Sequence, residues 1–307
     1  MTLLSREQVL HQLSQGHSFY QAELSRIDLH DTNLDKTKFV EAYLKGANFS
    51  QSSCKEIDFT RANLIFAIFL ETNLAQAQLY QTEFNGASLE RVNLQEAAAE
   101  KANFNGTILK DINAPLIQLK AANLSESQAT NSNFSGAKLN SVKLNKVNYN
   151  QVNFSGAQLF EAVGFAAKFT NVSLREANLG KAKFIQSIFI ESDLTQASLI
   201  SADFSKSNFS KVRLQQADLL EASFQSAQLT EVDLTEASLF DVDFEGATLS
   251  QVNLGNANLQ EANLENTIWE EVNLAGADVT GAIFTNAQGL REEQKQWLQA
   301  NGALNVS

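Results

Sequence analysis

Ala257-Asn258-Leu259-Gln260-Glu261-Ala262-Asn263-Leu264-Glu265-Asn266 holds two successive copies of one pattern: a small residue, an amide, a leucine and two polar residues. With the leucine taken as position i, the period runs without a slip from His17 to Asn286, through 54 repeats. Position i is Leu or Phe in 46 of them and position i−2 is Ala, Val, Ser or Thr in 49, so side-chain size keeps the phase throughout. A period of five matches neither the 3.6 of a helix nor the 2 of a strand, either of which would smear the large residues around every side. The chain must therefore turn every five residues. If i and i−2 point inward and each repeat ends in a corner, four walls close a square coil and residue n lies under residue n+20. Backbone groups then pair with the coils above and below, about 4.8 Å away.

Repeats such as Ala22-Glu23-Leu24, Ala47-Asn48-Phe49 and Ala262-Asn263-Leu264 resemble the A(D/N)LXX consensus of the pentapeptide-repeat family, over roughly residues 17–286. The resemblance implies an all-β solenoid, a right-handed quadrilateral β-helix, and the repeat count makes that about 13 coils. Three regions follow: an N-terminal capping helix in residues 1–16, the β-helix over 17–289, and a C-terminal capping helix and tail over 290–307. Ser5 with Gln8 reads as a capping box, Leu4 and Val9 as a hydrophobic staple and Gly16 as a stop, which predicts a helix over 6–15. Leu290, Trp297 and Leu298 share one face of a second helix expected over 291–300, so both edges of the solenoid are expected to be covered.

Eight repeats lack Leu or Phe at i: Cys54, Ala99, Ala114, Ala129, Tyr149, Gly164, Trp269 and Val279. Cys54 reads as a small buried hydrophobe. Ala114 follows Ile112 and precedes Pro115, which lacks a backbone donor, so a bulge is expected there. Gly164 removes the large side chain and invites Phe165 inward, which makes residues 162–168 a second expected defect.

The chain carries 35 acidic and 23 basic residues, a net charge of −12 that disfavours nucleic acid or an anionic membrane as partner. The N-terminus turns polar before a signal-peptide core could form, no apolar run is long enough for a membrane span, and a single cysteine fits a reducing cytoplasm. All three histidines, His11, His17 and His30, lie near the start of the chain. His30 stands beside Asp28 and Asp31, but two further ligands are missing, so no metal site is expected, and no motif for a cofactor or a nucleophile occurs. An enzyme is disfavoured.

Two outward features remain. One i+1 column reads Phe160, Gly180, Ile200, Leu220, Phe240, an apolar ladder that fits either an interface or a self-stabilising stack, and Ile188, Ile190, Ile68 and Leu70 pose the same choice. The second is charge: thirteen acidic residues and no Lys or Arg lie between Leu214 and Leu290, including Asp218, Glu221, Asp241, Asp243, Glu245 and Glu261. That is roughly one negative charge per ~1.4 Å of solenoid, close to the ~1.7 Å of duplex DNA, although spread over four walls. The reading is a non-catalytic protein–protein interaction scaffold whose partner is another protein, basic where charged. The alternative is a DNA mimic of a type II topoisomerase. The resemblance implies that alternative, because the best understood members inhibit DNA gyrase and confer quinolone resistance. Those members also dimerise through their C-terminal coils, which makes Trp269, Val279, Phe284, Leu290 and Trp297 the candidate dimer end here.

Overall fold

A computed structural model of the chain describes residues 4–306; Met1 to Leu3 and Ser307, the outermost residues of the two expected caps, lie outside the described residues. It divides into two compact units, Met1–Ala157 and Gln158–Ser307, each a parallel β-solenoid with a repeat of 20 residues. The first opens with helix α1 (Arg6–Ser14) and carries strands β1 (Ile68–Leu70), β2 (Ser88–Glu90), β3 (Ile108–Lys110), β4 (Gln128–Thr130) and β5 (Asn148–Asn150). The second carries β6 (Lys168–Thr170), β7 (Ile188–Ile190), β8 (Asn208–Ser210), β9 (Gln228–Thr230), β10 (Thr248–Ser250) and β11 (Ile268–Glu270), then helix α2 (Glu292–Ala300). We call the strand-bearing side wall A and the next three, in chain order, walls B, C and D. Walls B to D are joined by single parallel bridges, such as Asp193↔Arg213 on B, Ser198↔Asp218 on C and Asp203↔Ser223 on D. Full strands form in five coils of the first unit and six of the second, fewer than the coils counted from the repeats. In the earliest coils wall A is also held by single bridges, as at Asp28↔Asn48.

The five backbone N–H groups of a repeat each have a set destination. Around Leu44, the N–H of i donates forward to Asn63 O at 2.8 Å, and that of i+2, Gly46, donates to Ile65 O at 2.8 Å. The N–H of i−1, Tyr43, donates back to Ala22 O at 2.9 Å, and the next i−2, Ala47, closes a turn onto Leu44 O at 3.0 Å. The fifth, at i+1, has no backbone partner. It is met by the residue at i−1, as where the Ile65 N–H donates to Asn63 Oδ1 at 3.2 Å. This is why Asn and Asp recur at i−1: an Asx turn satisfies a donor that the ladder leaves out. The i+2 residue adopts positive φ almost throughout, for example Arg61 at 57° and Glu236 at 59°, as a type II turn demands.

Inside, large residues stack on large. Phe184, Phe204, Phe224 and Phe244 form one column with centroid spacings of 6.0, 5.3 and 5.3 Å, all buried. Cys54 is buried, and desolvation, with Asp35 nearby, pushes its thiol up and away from ionisation. The polar heads at irregular i positions find hydroxyls: Tyr149 Oη lies 2.8 Å from Ser127 Oγ, and Trp269 Nε1 donates to Thr267 Oγ1 at 2.8 Å.

Neither expected defect forms. At Pro115 the wall stays in register, with Asn113 bridged to Asn93 and Asn133. Proline stands at i+1, the one position whose N–H takes no part in the ladder, so its missing donor costs nothing there. At Gly164 the Phe184 ring of the next coil fills the space that a Cβ would need, while Phe165 stays outward and 44% exposed.

The ends are closed by side chains as much as by helices. Ser5 and Gln8 make the capping box, and Val9 of α1 is buried. Arg6 reaches the first coil of wall A, where Nη1 donates to Asp28 O at 3.2 Å and Nη2 to His30 O at 2.7 Å. Those two carbonyls, at i−1 and i+1, are the ones that elsewhere accept the preceding coil's N–H groups. At the far end Leu298 of α2 is buried, and residues after the helix return to form a single parallel bridge, Ile283↔Leu304: Phe284 N donates to Leu304 O at 2.9 Å and Leu304 N to Ala282 O at 2.8 Å. Coverage is incomplete, contrary to expectation. Among the described residues, no acceptor meets the N–H of Glu271, Leu274 or Gly276 on the last coil. No helix among the described residues is long and apolar enough to cross a membrane.

Two consequences can be measured. Phe204→Ala truncates the interior column and should lower stability by about 3–5 kcal/mol, whereas an unchanged melting temperature would refute the register. Arg6→Ala leaves two edge carbonyls without their charged donor and should cost about 1–2 kcal/mol in urea denaturation, with Arg6→Lys only partly restoring it.

Candidate interaction surface

The outward ladder lies on wall C of the second unit. Each i+2 N–H donates to the i+1 carbonyl of the next coil, as in Lys181 to Ile200 at 2.9 Å, Ser201 to Leu220 at 2.8 Å and Glu221 to Phe240 at 3.1 Å. Consecutive ladder residues therefore sit one coil apart. Phe160 lies flat: a Cβ on Gly180 would stand 3.2 Å from its ring, and Lys181 Nζ is 5.8 Å from its centroid. That end of the ladder is a local fit of ring over glycine, like Phe66 over Gly86 in the first unit. Ile200 and Leu220 stay half-buried and Phe240 is 37% exposed, so the open apolar strip is these three.

Carboxylates rim the strip. Glu221, Asp241 and Glu261 form the next column at i+2 and are exposed; Asp218 stands on the other flank at i−1. Asp243 and Glu245 belong to wall D, around the corner. Several are tethered through one oxygen: Asp218 Oδ1 accepts from Leu220 N at 3.2 Å, Asp243 Oδ1 from Glu245 N at 3.0 Å, and Glu221 Oε2 from Ser201 Oγ at 3.1 Å. Among the described residues none of the thirteen carboxylates between Leu214 and Leu290 has an ion-pair partner. The sequence reading thus gathered ten surface residues, and the structure brings eight of them onto wall C, seven around the open strip.

The compensated charges end just before this stretch. On wall B the buried Asp193 carboxylate is held by Arg175 Nη1 at 3.1 Å and Arg213 Nη2 at 3.0 Å. Burial alone would raise its carboxyl. Hydrogen bonds from the Thr195 hydroxyl, Arg213, the Thr195 N–H and Arg175 outweigh burial and hold it well below the usual carboxylate range.

The other candidates have local roles. His30 Nδ1 lies 2.9 Å from Asp28 Oδ1 and 3.1 Å from Arg6 Nη1, a cluster built around the arginine cap. Among the described residues no group of three potential metal ligands gathers. Ile68 and Leu70 in the first unit, and Ile188 and Ile190 in the second, flank buried Phe69 and Phe189 on wall A, with Ile68 and Ile188 exposed. Of the candidate dimer-end residues, Trp269, Val279, Phe284 and Leu290 are buried within the chain and only Trp297 is half-exposed. Sequence reading passed over Arg6 and Gln294; an arginine or amide on a cap helix has no periodicity to betray it.

A depressed carboxyl contributes stability that is present above its unfolded pKa and lost as pH falls through the folded one. Asp193→Asn should therefore cost about 1–2 kcal/mol at neutral pH, discounted because both arginines are partly solvated. The gap to wild type should begin to shrink below about pH 4 and close only in stronger acid, as pH passes the depressed folded value; a gap that persists at full strength in acid would show that the carboxylate is not its source.

Comparison with known proteins agrees with this geometry. A sequence model of pentapeptide repeats in eight copies matches residues 18–51, 42–77, 57–95, 72–111, 117–156, 237–268 and 257–288, and one of a pentapeptide repeat region matches 165–239. No relative is found among curated proteins. Similar solved structures include HetL, a pentapeptide repeat protein involved in heterocyst differentiation regulation from the cyanobacterium Nostoc sp. strain PCC 7120. It is 23% identical over 92% of this chain and 94% of its own, with a TM-score of 0.32. Rfr23 from the cyanobacterium Cyanothece 51142 is 34% identical over 29% of this chain and 62% of its own, TM-score 0.28. QnrB1, a plasmid-mediated fluoroquinolone resistance protein, is 16% identical over 69% and 95%, TM-score 0.35. Since the repeat models match well over half of a chain whose walls close every five residues, the chain belongs to the pentapeptide repeat family.

Proposed function

We propose that the protein is a non-catalytic interaction scaffold that receives another protein along wall C of the second unit, in a reducing cytoplasm. One observation carries this reading: Ile200, Leu220 and Phe240 stand half-open one coil apart, bordered by Asp218, Glu221, Asp241 and Glu261, which have no ion-pair partner among the described residues. Apolar side chains give a partner contact area, and unpaired carboxylates favour one with basic residues beside its own apolar ridge. The solenoid contributes rigidity, since each outward side chain is fixed by backbone bonds on both sides of its coil.

A second reading, mimicry of DNA toward a type II topoisomerase, draws on the unpaired acidic stretch. Its carboxylates are distributed over four walls, whereas duplex phosphates follow two tracks, which favours the first reading.

Capture of partners from the native host with wild type and with Leu220→Ser/Phe240→Ser tests the proposal. The double variant should fold with the same melting temperature and lose a partner that wild type releases as salt is raised. An unchanged partner set would remove the strip from the function. Dose-dependent inhibition of gyrase supercoiling would turn the reading to mimicry.

A further inference from the structure

The last coil of wall B is an unfinished sheet edge. In five successive coils of this wall in the second unit, from Leu174 to Leu254, the N–H groups at i and i+2 donate to the coil that follows; Leu254 and Asn256 give theirs to Asn273 O at 2.8 Å and Ala275 O at 2.9 Å. Leu274 and Gly276 have no following coil, and no acceptor among the described residues meets them, nor the N–H of Glu271 at the preceding corner. On the neighbouring walls one of the two forward donors is met: Trp269 N of wall A donates to Gln288 O at 2.8 Å, and Gly281 N, at the corner after wall C, to Gly302 O at 2.9 Å, while Val279 N of wall C has no acceptor among the described residues. The one acceptor on the wall B edge is already used, since Gln294 Nε2 donates to Val272 O at 3.2 Å. The edge therefore offers donors only.

A groove of about 490 Å³ runs along this edge between the coil and α2. Val272, Leu274, Ala275 and Trp297 give it an apolar lining, and Glu271 and Glu293 stand at its sides. Its single cation, Arg291, is turned toward Gln294, with Nε donating to Gln294 Oε1 at 3.3 Å.

We infer that this groove binds an extended peptide segment of a partner protein, bearing lysine or arginine, which adds itself as the missing wall. Two of its carbonyls, two residues apart, would accept from Leu274 and Gly276 as Asn273 and Ala275 accept from the coil before. A side chain between those carbonyls would meet Leu274 and Trp297. Basic side chains at its ends would meet Glu271 and Glu293, neither of which has an ion-pair partner among the described residues. This surface is separate from the wall C strip and does not depend on it.

The test uses the full chain and a blocked lysine–valine–alanine–valine–lysine peptide. Amide hydrogen exchange over residues 271–276 should slow on addition of the peptide, and Trp297 emission should shift. The same peptide with glutamate for lysine should do neither. Glu271→Lys/Glu293→Lys, with an unaltered melting temperature, should weaken binding by about tenfold at low salt, while Phe240→Ser should leave it unchanged. Four results would overturn the proposal: binding without protection of 271–276, equal binding of the glutamate peptide, protection already complete in dilute free protein, or protection that grows with protein concentration. The third would assign the edge to the chain's own end and the fourth to a second copy.

Discussion

The structure depends on one accounting constraint: every backbone N–H of a buried, repeating chain must find an acceptor, and a five-residue wall can send only three of its five to neighbouring coils. The fourth closes a turn. The fifth is left to a side chain, which is why the repeat so often carries Asn or Asp at i−1, although that position points outward. Side-chain packing then follows. Once residues 20 apart are locked in register, a small i−2 must lie over a small i−2 and a large i over a large i, giving the continuous phenylalanine stack of the second unit.

The same accounting makes the ends the difficult part of the molecule. A coil without a neighbour exposes two carbonyls for each N–H on the first edge and two N–H groups for each carbonyl on the last, so the two edges need different chemistry. Acceptors at the first coil of wall A are met by a guanidinium, whose fork can span two carbonyls at once. At the last coil, donors need carbonyls, which few side chains can place in pairs, and the chain supplies them with backbone at 288 and 302–304. Wall B receives only the Gln294 amide, which can satisfy its acceptor but leaves its donors. The unfinished edge is thus a consequence of which groups can imitate a coil.

Much of this was legible in the sequence, and the failures mark the limits of pattern reading. The period, the inward positions, the capping box at Ser5 and the Phe184–Phe244 column follow from spacing alone. Pro115 misled because proline is normally weighed against a ladder of alternate N–H groups; here the residue falls at the single unladdered position, a fact visible only once the bonds are traced. Gly164 misled because the compensation comes from the coil that follows, through Phe184, and not from its sequence neighbour Phe165. Arg6, Gln294 and the returning segment at 302–304 carry no periodic signal. The outward ladder was readable as a column, but its open part was not, since Phe160 uses the neighbouring Gly180 to lie down.

Because the interior consumes i−2 and i and the Asx turn often claims i−1, positions i+1 and i+2 are the freest to differ from coil to coil, and partner specificity is written mainly in those two columns. Their side chains emerge at corners about 4.8 Å apart along each column, which suits recognition by repetition more than by a convergent pocket. Charge in such columns is felt by its neighbours unless it alternates in sign or is paired. In the first unit it is paired, as Arg91 with Glu71 and Glu90. Beyond Arg213 the pairing stops among the described residues, and like charges such as Glu221, Asp241 and Glu261 stand one coil apart without an ion-pair partner. Self-repulsion of this kind destabilises the coil that bears it, so the fold alone gives no reason to place it beside an open apolar strip. A partner that brings cations to the rim and apolar surface to the strip would relieve both costs at once. That coupling, more than charge or hydrophobicity taken singly, is what distinguishes this corner from the rest of the second unit's surface.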